Sequence, residues 1–225
     1  MNVLLFGATG MIGQGVLREC LLSESVKSVT VVVRSSLGQS HPKLREIIHR
    51  DFTDFSACAA DFASADACFY CVGISSPGKT EQEYTVATHD YTIAAARAVP
   101  ANPALTFVFV SAEGADPTEK GRIMWARVKG RTENALLAFP FRSYVFRFNF
   151  VQPMHGAVSQ TQAYRVLYAV IGWMGPLLRH IMPGHYTTTE NVGRAMIALA
   201  RGADPGLRVL HSPDINRMAD EWARV

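Results

Sequence analysis

An α/β fold, a doubly wound parallel sheet with a small C-terminal cap, follows from three features of this 225-residue chain. Short β-rich runs alternate with longer helical ones up to about Phe148. The runs lack two-face alternation, which places them in a sheet covered on both faces. The first run passes straight into a glycine-rich turn that opens a helix. The chain is 48% hydrophobic and 18% charged, so it can bury a sizeable core and is not disordered. Its net charge of +3 is small and evenly spread, which argues against a nucleic-acid partner.

Residues 3–6 read as a buried strand, 11–22 as a helix and 29–33 as an almost pure valine strand. Residues 45–50 supply a third strand and 67–72 a fourth. Residues 81–99 are helical and alanine-rich, and Pro100 and Pro103 end that helix. A fifth strand over 105–110, a long helix over 121–139 and a sixth strand over 143–148 follow. The pattern changes after Pro153: helices over 160–181 and 189–201, a short strand over 207–210, and a closing helix over 218–224. Thr188 or Thr189 would cap the second of these helices. One domain is expected, with residues 1–153 as its core and 154–225 as a cap on the carboxyl edge, too short for a core of its own.

The four cysteines, Cys20, Cys58, Cys68 and Cys71, make no disulfide scaffold and suit a reducing cytoplasm. On a strand, Cys68 and Cys71 would lie about 10 Å apart on opposite faces, beyond the roughly 7 Å limit of a disulfide. The first apolar run is too short for a signal peptide. The longest, over 166–178, is interrupted by Gly172, Gly175 and Pro176, and a membrane span needs about 20 residues. A cytoplasmic protein with no transmembrane segment is expected. His180 and His185 have no further ligands beside them, so no metal is expected.

The glycine turn reads Gly7-Ala8-Thr9-Gly10-Met11-Ile12-Gly13. Gly7 permits the tight turn, Gly10 lets backbone N–H groups approach a pyrophosphate, and Gly13 lets the helix pack on the strand. Thr9, Met11 and Ile12 complete the predicted phosphate cradle at the helix N-terminus. With this strand–turn–helix context, the chain resembles the short-chain dehydrogenase/reductase superfamily, in its extended and atypical branches, over most of residues 1–200. It is also similar to a bacterial NAD(P)-binding, epimerase-like group distantly related to the Tat-interacting-protein reductases. Three segments carry that likeness: Gly121-Arg122-Ile123-Met124-Trp125-Ala126-Arg127-Val128-Lys129-Gly130, Gln152-Pro153-Met154-His155-Gly156, and residues 187–196.

The resemblance implies a Rossmann-type sheet with the cofactor across the carboxyl ends of its strands. Arg34 stands where NAD binders carry an acidic residue for the ribose hydroxyl, and an Arg there accommodates a 2′-phosphate. Arg34, with Ser35 beside it, therefore favours NADP over NAD. The family likeness places Asp51 and Phe52 against the adenine, and Cys71, Val72 and Gly73 under its ribose. It gives Ser111 the place of the substrate-orienting serine and Lys129 that of the lysine that holds the nicotinamide ribose.

The partner position of the family's Tyr-x-x-x-Lys holds Trp125. An indole N–H donates a hydrogen bond but cannot act as a proton acid or base near neutral pH. Three readings follow. The chain is an NADP(H)-dependent oxidoreductase of unknown substrate, with its proton supplied by Ser111, Glu113, Tyr84, His89 or His155. Or it is a non-catalytic NADP(H)-binding redox sensor or regulator. Or the glycine loop is a turn without a cofactor. Asn149, where many relatives carry glycine, is expected in the left-handed conformation. A small-molecule substrate is the expected partner; the chain is a monomer or a dimer, and a second copy would pair through helices 81–99 and 121–139. The substrate is apolar if Tyr164, Leu167, Tyr168, Ile171 and Met174 line its pocket, although that spacing first reads as a core or cap face.

Overall fold

A computed structural model describes residues 1–158 and 184–223. The chain runs β1 (Asn2–Phe6), α1 (Met11–Leu22), β2 (Ser28–Val33), β3 (Leu44–Ile48), α2 (Ala59–Phe62), β4 (Ala67–Tyr70), α3 (Glu81–Thr85), α4 (Tyr91–Ala98), β5 (Thr106–Val110), α5 (Met124–Leu137) and β6 (Arg142–Phe146). It continues with β7 (Phe150–Gln152), β8 (Tyr186–Thr188), α6 (Thr189–Ala200), β9 (Val209–Leu210) and α7 (Ser212–Trp222). Among the described residues, seven strands form one sheet in the order β3-β2-β1-β4-β5-β6-β9, every neighbouring pair parallel. β7 and β8 form a separate parallel pair.

Successive residues of the central strands enter two different cores, because side chains alternate across a pleated strand. Val3, Leu5, Val31, Phe69, Val108 and Phe146 face α1, α6 and α7. Leu4, Phe6, Val32, Tyr70, Phe107 and Phe109 face the other way, toward Phe55, Phe62, Ile93 and Leu136. Phe6 meets Phe52, Phe55 and Phe62 edge-on at 6.4, 5.2 and 5.8 Å between ring centroids. Burial on both faces is the reason the strands show no polar alternation in sequence.

Several boundaries differ from the sequence expectations. The helix over 81–99 carries a π turn, Val86–Asp90, between α3 and α4. The helix expected from residue 121 begins at Met124. The Asp116 carboxylate accepts from the backbone N–H of Thr118 and Gly121, at 2.9 and 2.7 Å, and holds that segment in turns. The closing helix starts earlier than expected, at Ser212, because His211 and Asp214 form a capping box there. Thr188 caps α6, its hydroxyl accepting from Asn191 N–H.

Part of the expected cap joins the main sheet: β9 extends it beyond β6 and α6 packs on α1, while β8 pairs with β7 apart from it. The packing is close because Gly15 faces Thr189 and Gly193 faces Glu19, where a Cβ would come within 2.5 and 2.8 Å of those side chains. The helix expected over 160–181, with Tyr164, Leu167, Tyr168, Ile171, Met174 and His180, lies outside the described residues. No described helix is long and apolar enough to cross a membrane.

Candidate active site

A cavity of about 470 Å³ opens at the carboxyl ends of the strands, lined by residues that follow β1, β2, β3, β4, β5 and β6. That volume lies within the usual range of small-molecule sites. β1 ends at the glycine turn. Gly7 has φ +82°, and a Cβ there would lie 2.6 Å from the carbonyl carbon of Cys71. Gly13 packs α1 onto the turn, since its Cβ would lie 2.0 Å from the Gly7 oxygen. Gly10 is the N-cap of α1 and lines the cavity, where a Cβ would meet only the Gly7 oxygen, at 3.4 Å. Among the described residues no side chain caps α1, and no acidic residue stands in its first turn. Its first N–H groups and the positive end of its dipole therefore remain open to an anion.

Of the residues singled out from the sequence, Gly7, Thr9, Gly10, Met11, Ile12, Arg34, Phe52, Cys71, Val72, Gly73, Ser111 and Lys129 line this cavity. Gly13 stands behind the lining and acts through packing. Two predicted residues fall elsewhere. Ser35 is exposed and is not in the lining. Asp51 is exposed in a turn of its own, accepting from the Thr53 backbone N–H and hydroxyl at 2.9 and 2.5 Å. The Thr53 hydroxyl, and then its N–H, hold the Asp51 carboxyl below its usual value. The Asp51 carboxylate is thus committed to its loop. Asn149 is not left-handed either: among the described non-glycine residues only Glu119 and His155 have positive φ, and Asn149 bonds His185 as the chain enters β7.

The lining also holds residues that the sequence reading missed. Arg50 follows β3 and lines the cavity with Arg34, which follows β2. Neither guanidinium has a hydrogen-bond or ion-pair partner among the described residues. Tyr91, just after the π turn, lies with its ring 5.9 Å from that of Phe52. Between β2 and β5 lie two strands, so about 14 Å separates the arginine end from the Ser111 end.

At that second end stands a buried network. The Ser111 hydroxyl donates to the Glu133 carboxylate. Arg147 Nε donates to both Glu133 oxygens at 3.2 Å, and its terminal nitrogen forms an ion pair with the same carboxylate. Ser111 and Glu133 are 4% and 1% exposed, which makes this an internal ion pair and not a surface one. Lys129, one helical turn before Glu133, lines the cavity with its ammonium 5.4 Å from the centre of the Phe109 ring. Among the described residues it makes no hydrogen bond or ion pair. Burial lowers the Lys129 pKa to about 8, against an opposing pull from Glu133. Burial also pushes the Cys71 thiol up, so it stays protonated. Cys68 and Cys71 are free thiols, in keeping with their strand placement.

Trp125 is not in the cavity lining; its ring lies 3.3 Å from where a Gly114 Cβ would stand. Of the five proton-donor candidates only Ser111 reaches the cavity. Glu113 pairs with His211, His155 with Glu190 and His89 with Asp90, at 2.8, 3.0 and 2.8 Å, and Tyr84 is buried in α3 away from the lining. No group of His, Cys, Asp and Glu among the described residues could hold a metal ion.

The profile of a family described as NAD(P)H-binding matches residues 7–138. A protein of Eremothecium gossypii named "Protein FMP52, mitochondrial" is 26% identical over 223 residues, covering 96% of each chain. Its namesake in Saccharomyces cerevisiae is 26% identical over 148 residues, covering 64% of this chain and 63% of that one. Among solved structures, an oxidoreductase of the short-chain dehydrogenase/reductase family from Burkholderia thailandensis superposes with a TM-score of 0.66 at 16% identity, covering 100% of this chain and 97% of that one. A UDP-N-acetylglucosamine 4-epimerase from Methanobrevibacter ruminantium gives a TM-score of 0.66 at 18% identity, covering 97% and 80%. These neighbours share the Rossmann-like fold. The mitochondrial names of the fungal relatives overturn the cytoplasmic location expected above.

Proposed function

The chain belongs to the NAD(P)H-binding family, and from that premise we propose that it is an NADP(H)-dependent oxidoreductase of atypical short-chain type. One observation carries this reading. Arg34 and Arg50 at one end, without hydrogen-bond or ion-pair partners among the described residues, the N-terminus of α1 in the middle, and Ser111 with Lys129 at the other end all line one cavity. The parts suit the parts of the dinucleotide. Gly7, Gly10, Met11 and Ile12 would receive the pyrophosphate. Arg34 and Arg50 would take the 2′-phosphate, with guanidinium geometry matched to phosphate oxygens. Phe52, Val72, Gly73 and Tyr91 would enclose the adenosine. Lys129 and Ser111 would face the nicotinamide end, where Ser111 would meet the reacting group of a small-molecule substrate. When bound, the nicotinamide supplies or accepts a hydride.

Trp125 favours a second reading, a non-catalytic NADP(H)-dependent regulator, since the usual proton-transferring phenol is missing. Pairing of two copies through α3, α4 and α5 belongs to either reading. Calorimetric titration of the purified protein with NADPH and NADH, followed by a screen of aldehydes and ketones with NADPH, tests both. Micromolar NADPH binding with carbonyl-dependent oxidation is expected. Binding without turnover selects the regulator. Failure to bind either nucleotide refutes both.

A further inference from the structure

The three residues of α5 that matter here, Trp125, Lys129 and Glu133, recur at intervals of four and so share one helical face. Each has a different commitment. Trp125 packs against Gly114 outside the cavity lining. Glu133 is held by Arg147 from below and by the Ser111 hydroxyl from the side. Lys129 alone of the three reaches the cavity, over the Phe109 ring and with no hydrogen-bond or ion-pair partner among the described residues. The Ser111 bond has a chemical consequence. A serine has one proton, and here Glu133 receives it. Toward the cavity Ser111 can therefore only accept. It cannot polarise a carbonyl oxygen, which needs a donor.

The other titratable groups of the lining do not fill that need. Arg34 and Arg50 do not lose protons in proteins and stand at the far end. Tyr91 lies against Phe52, on the side of the cavity beside β3. The Cys71 thiol is buried and pushed up. Resting on the reading of the chain as a reductase, we propose that Lys129 Nζ is the group that exchanges a proton with the substrate oxygen, and that Ser111 accepts a hydrogen bond from the alcohol so formed.

In the reducing direction, the nicotinamide, when bound in reduced form, would supply a hydride to the carbonyl carbon, and the pair of the broken C=O π bond would move to oxygen. That oxygen takes a proton from Lys129 Nζ, leaving a neutral amine. The amine recovers its proton from water at the cavity mouth. In the oxidising direction the neutral amine takes the hydroxyl proton. A lysine with a pKa of about 8 can do either near neutral pH, and the ordinary value of about 10.4 would leave it almost always charged.

Two measurements test this. The first needs no substrate. The protein is treated with acetic anhydride across a pH series, and each lysine is followed by peptide mass spectrometry. Lys129 is expected to reach half-maximal reaction near pH 8 and to be protected by NADPH. A Lys129 that reacts only where a free lysine side chain does overturns the proposal.

The second is turnover of the carbonyl panel by wild type, Lys129→Met and Lys129→Arg, with NADPH affinity measured by calorimetry on each. General acid catalysis contributes about 10²–10⁴-fold, so both variants should lose at least about 10²-fold in kcat. Arg cannot release a proton but keeps the charge. Restoration of kcat by Arg would make Lys129 a charge that anchors the ribose and would overturn the proposal. So would NADPH binding by a wild type that reduces none of the panel, or loss of turnover in Tyr91→Phe with Lys129→Met still active. Failure of wild type to bind NADPH instead refutes the underlying reading of the function.

Discussion

Removing the arginine pair is the sharpest test of the cofactor assignment. Arg34 and Arg50 follow β2 and β3, neighbouring strands about 4.8 Å apart, so both guanidiniums can reach one phosphate. A hydrogen bond to a charged group is worth about 1.5–3 kcal/mol. At about 1.4 kcal/mol per tenfold, Arg34→Ala should weaken NADPH binding roughly 10- to 150-fold. Both side chains are exposed, so the lower end applies at physiological salt. The double variant should lose more than the product of the singles, because in each single variant the remaining arginine partly covers for the missing one. NADH lacks the 2′-phosphate and should change by less than about twofold. Calorimetry with both nucleotides, at low and at physiological ionic strength, measures all of this. Equal losses for NADPH and NADH would place the arginines on some shared part of the cofactor and refute the assignment. Tighter binding of NADH by wild type would do the same.

Three further outcomes follow from the packing and the charges. Gly13→Ala puts a Cβ 2.0 Å from the Gly7 oxygen and must push α1 off the sheet. Overpacking of this kind costs about 1–3 kcal/mol, and at about 2–4 °C per kcal/mol Tm should fall by roughly 2–12 °C, with NADPH affinity falling too. Glu133→Gln leaves Arg147 buried without its counter-charge, which typically costs about 3–5 kcal/mol; urea unfolding should show the loss, and an unchanged midpoint would mean the pair contributes nothing. Lys129→Met should raise stability near pH 7, by about 1 kcal/mol once solvent at the cavity mouth is allowed for. Because the folded pKa lies below the unfolded one, wild type gains stability between about pH 8 and pH 10.4, and the advantage of Met should vanish across that window.

The parts of the site made by backbone were readable in the sequence. Gly7, Gly10 and Gly13 sit between a strand and a helix, and in that context only a few arrangements are possible. Arg34 was readable because it ends a strand of valines at a fixed distance from the loop. Arg50 carries the same signal at the end of β3, but the weak composition of that strand hid it. Asp51 was misjudged by one residue of phase, since Thr53 draws its carboxylate into the turn. Glu133 was missed although it lies four residues after Lys129, where an acidic residue on the inner face of a helix asks for a buried partner. That partner, Arg147, directly follows β6, and only the fold brings the two together. β9, two residues long, is too short to announce itself, so the tail looked like a cap before it could be seen as a sheet edge.

The substitution of tryptophan for tyrosine need not end the chemistry, because it changes what the rest of the helix face must do. With a phenol at 125, a lysine one turn later would lower its pKa and stay charged. Without the phenol, the same ammonium has no hydroxyl to support and faces the cavity directly. Glu133 then has two effects. It takes the Ser111 proton, and its charge opposes the burial that lowers the Lys129 pKa. Burial outweighs that pull, and the Lys129 pKa falls to about 8. A lysine fully paired with Glu133 would be a fixed cation, useful only for holding phosphate or ribose. A lysine with no carboxylate nearby would be neutral too early to give up a proton. The arrangement of one carboxylate shared among a serine, an arginine and a distant ammonium lies between those limits, which is where an acid–base group has to be.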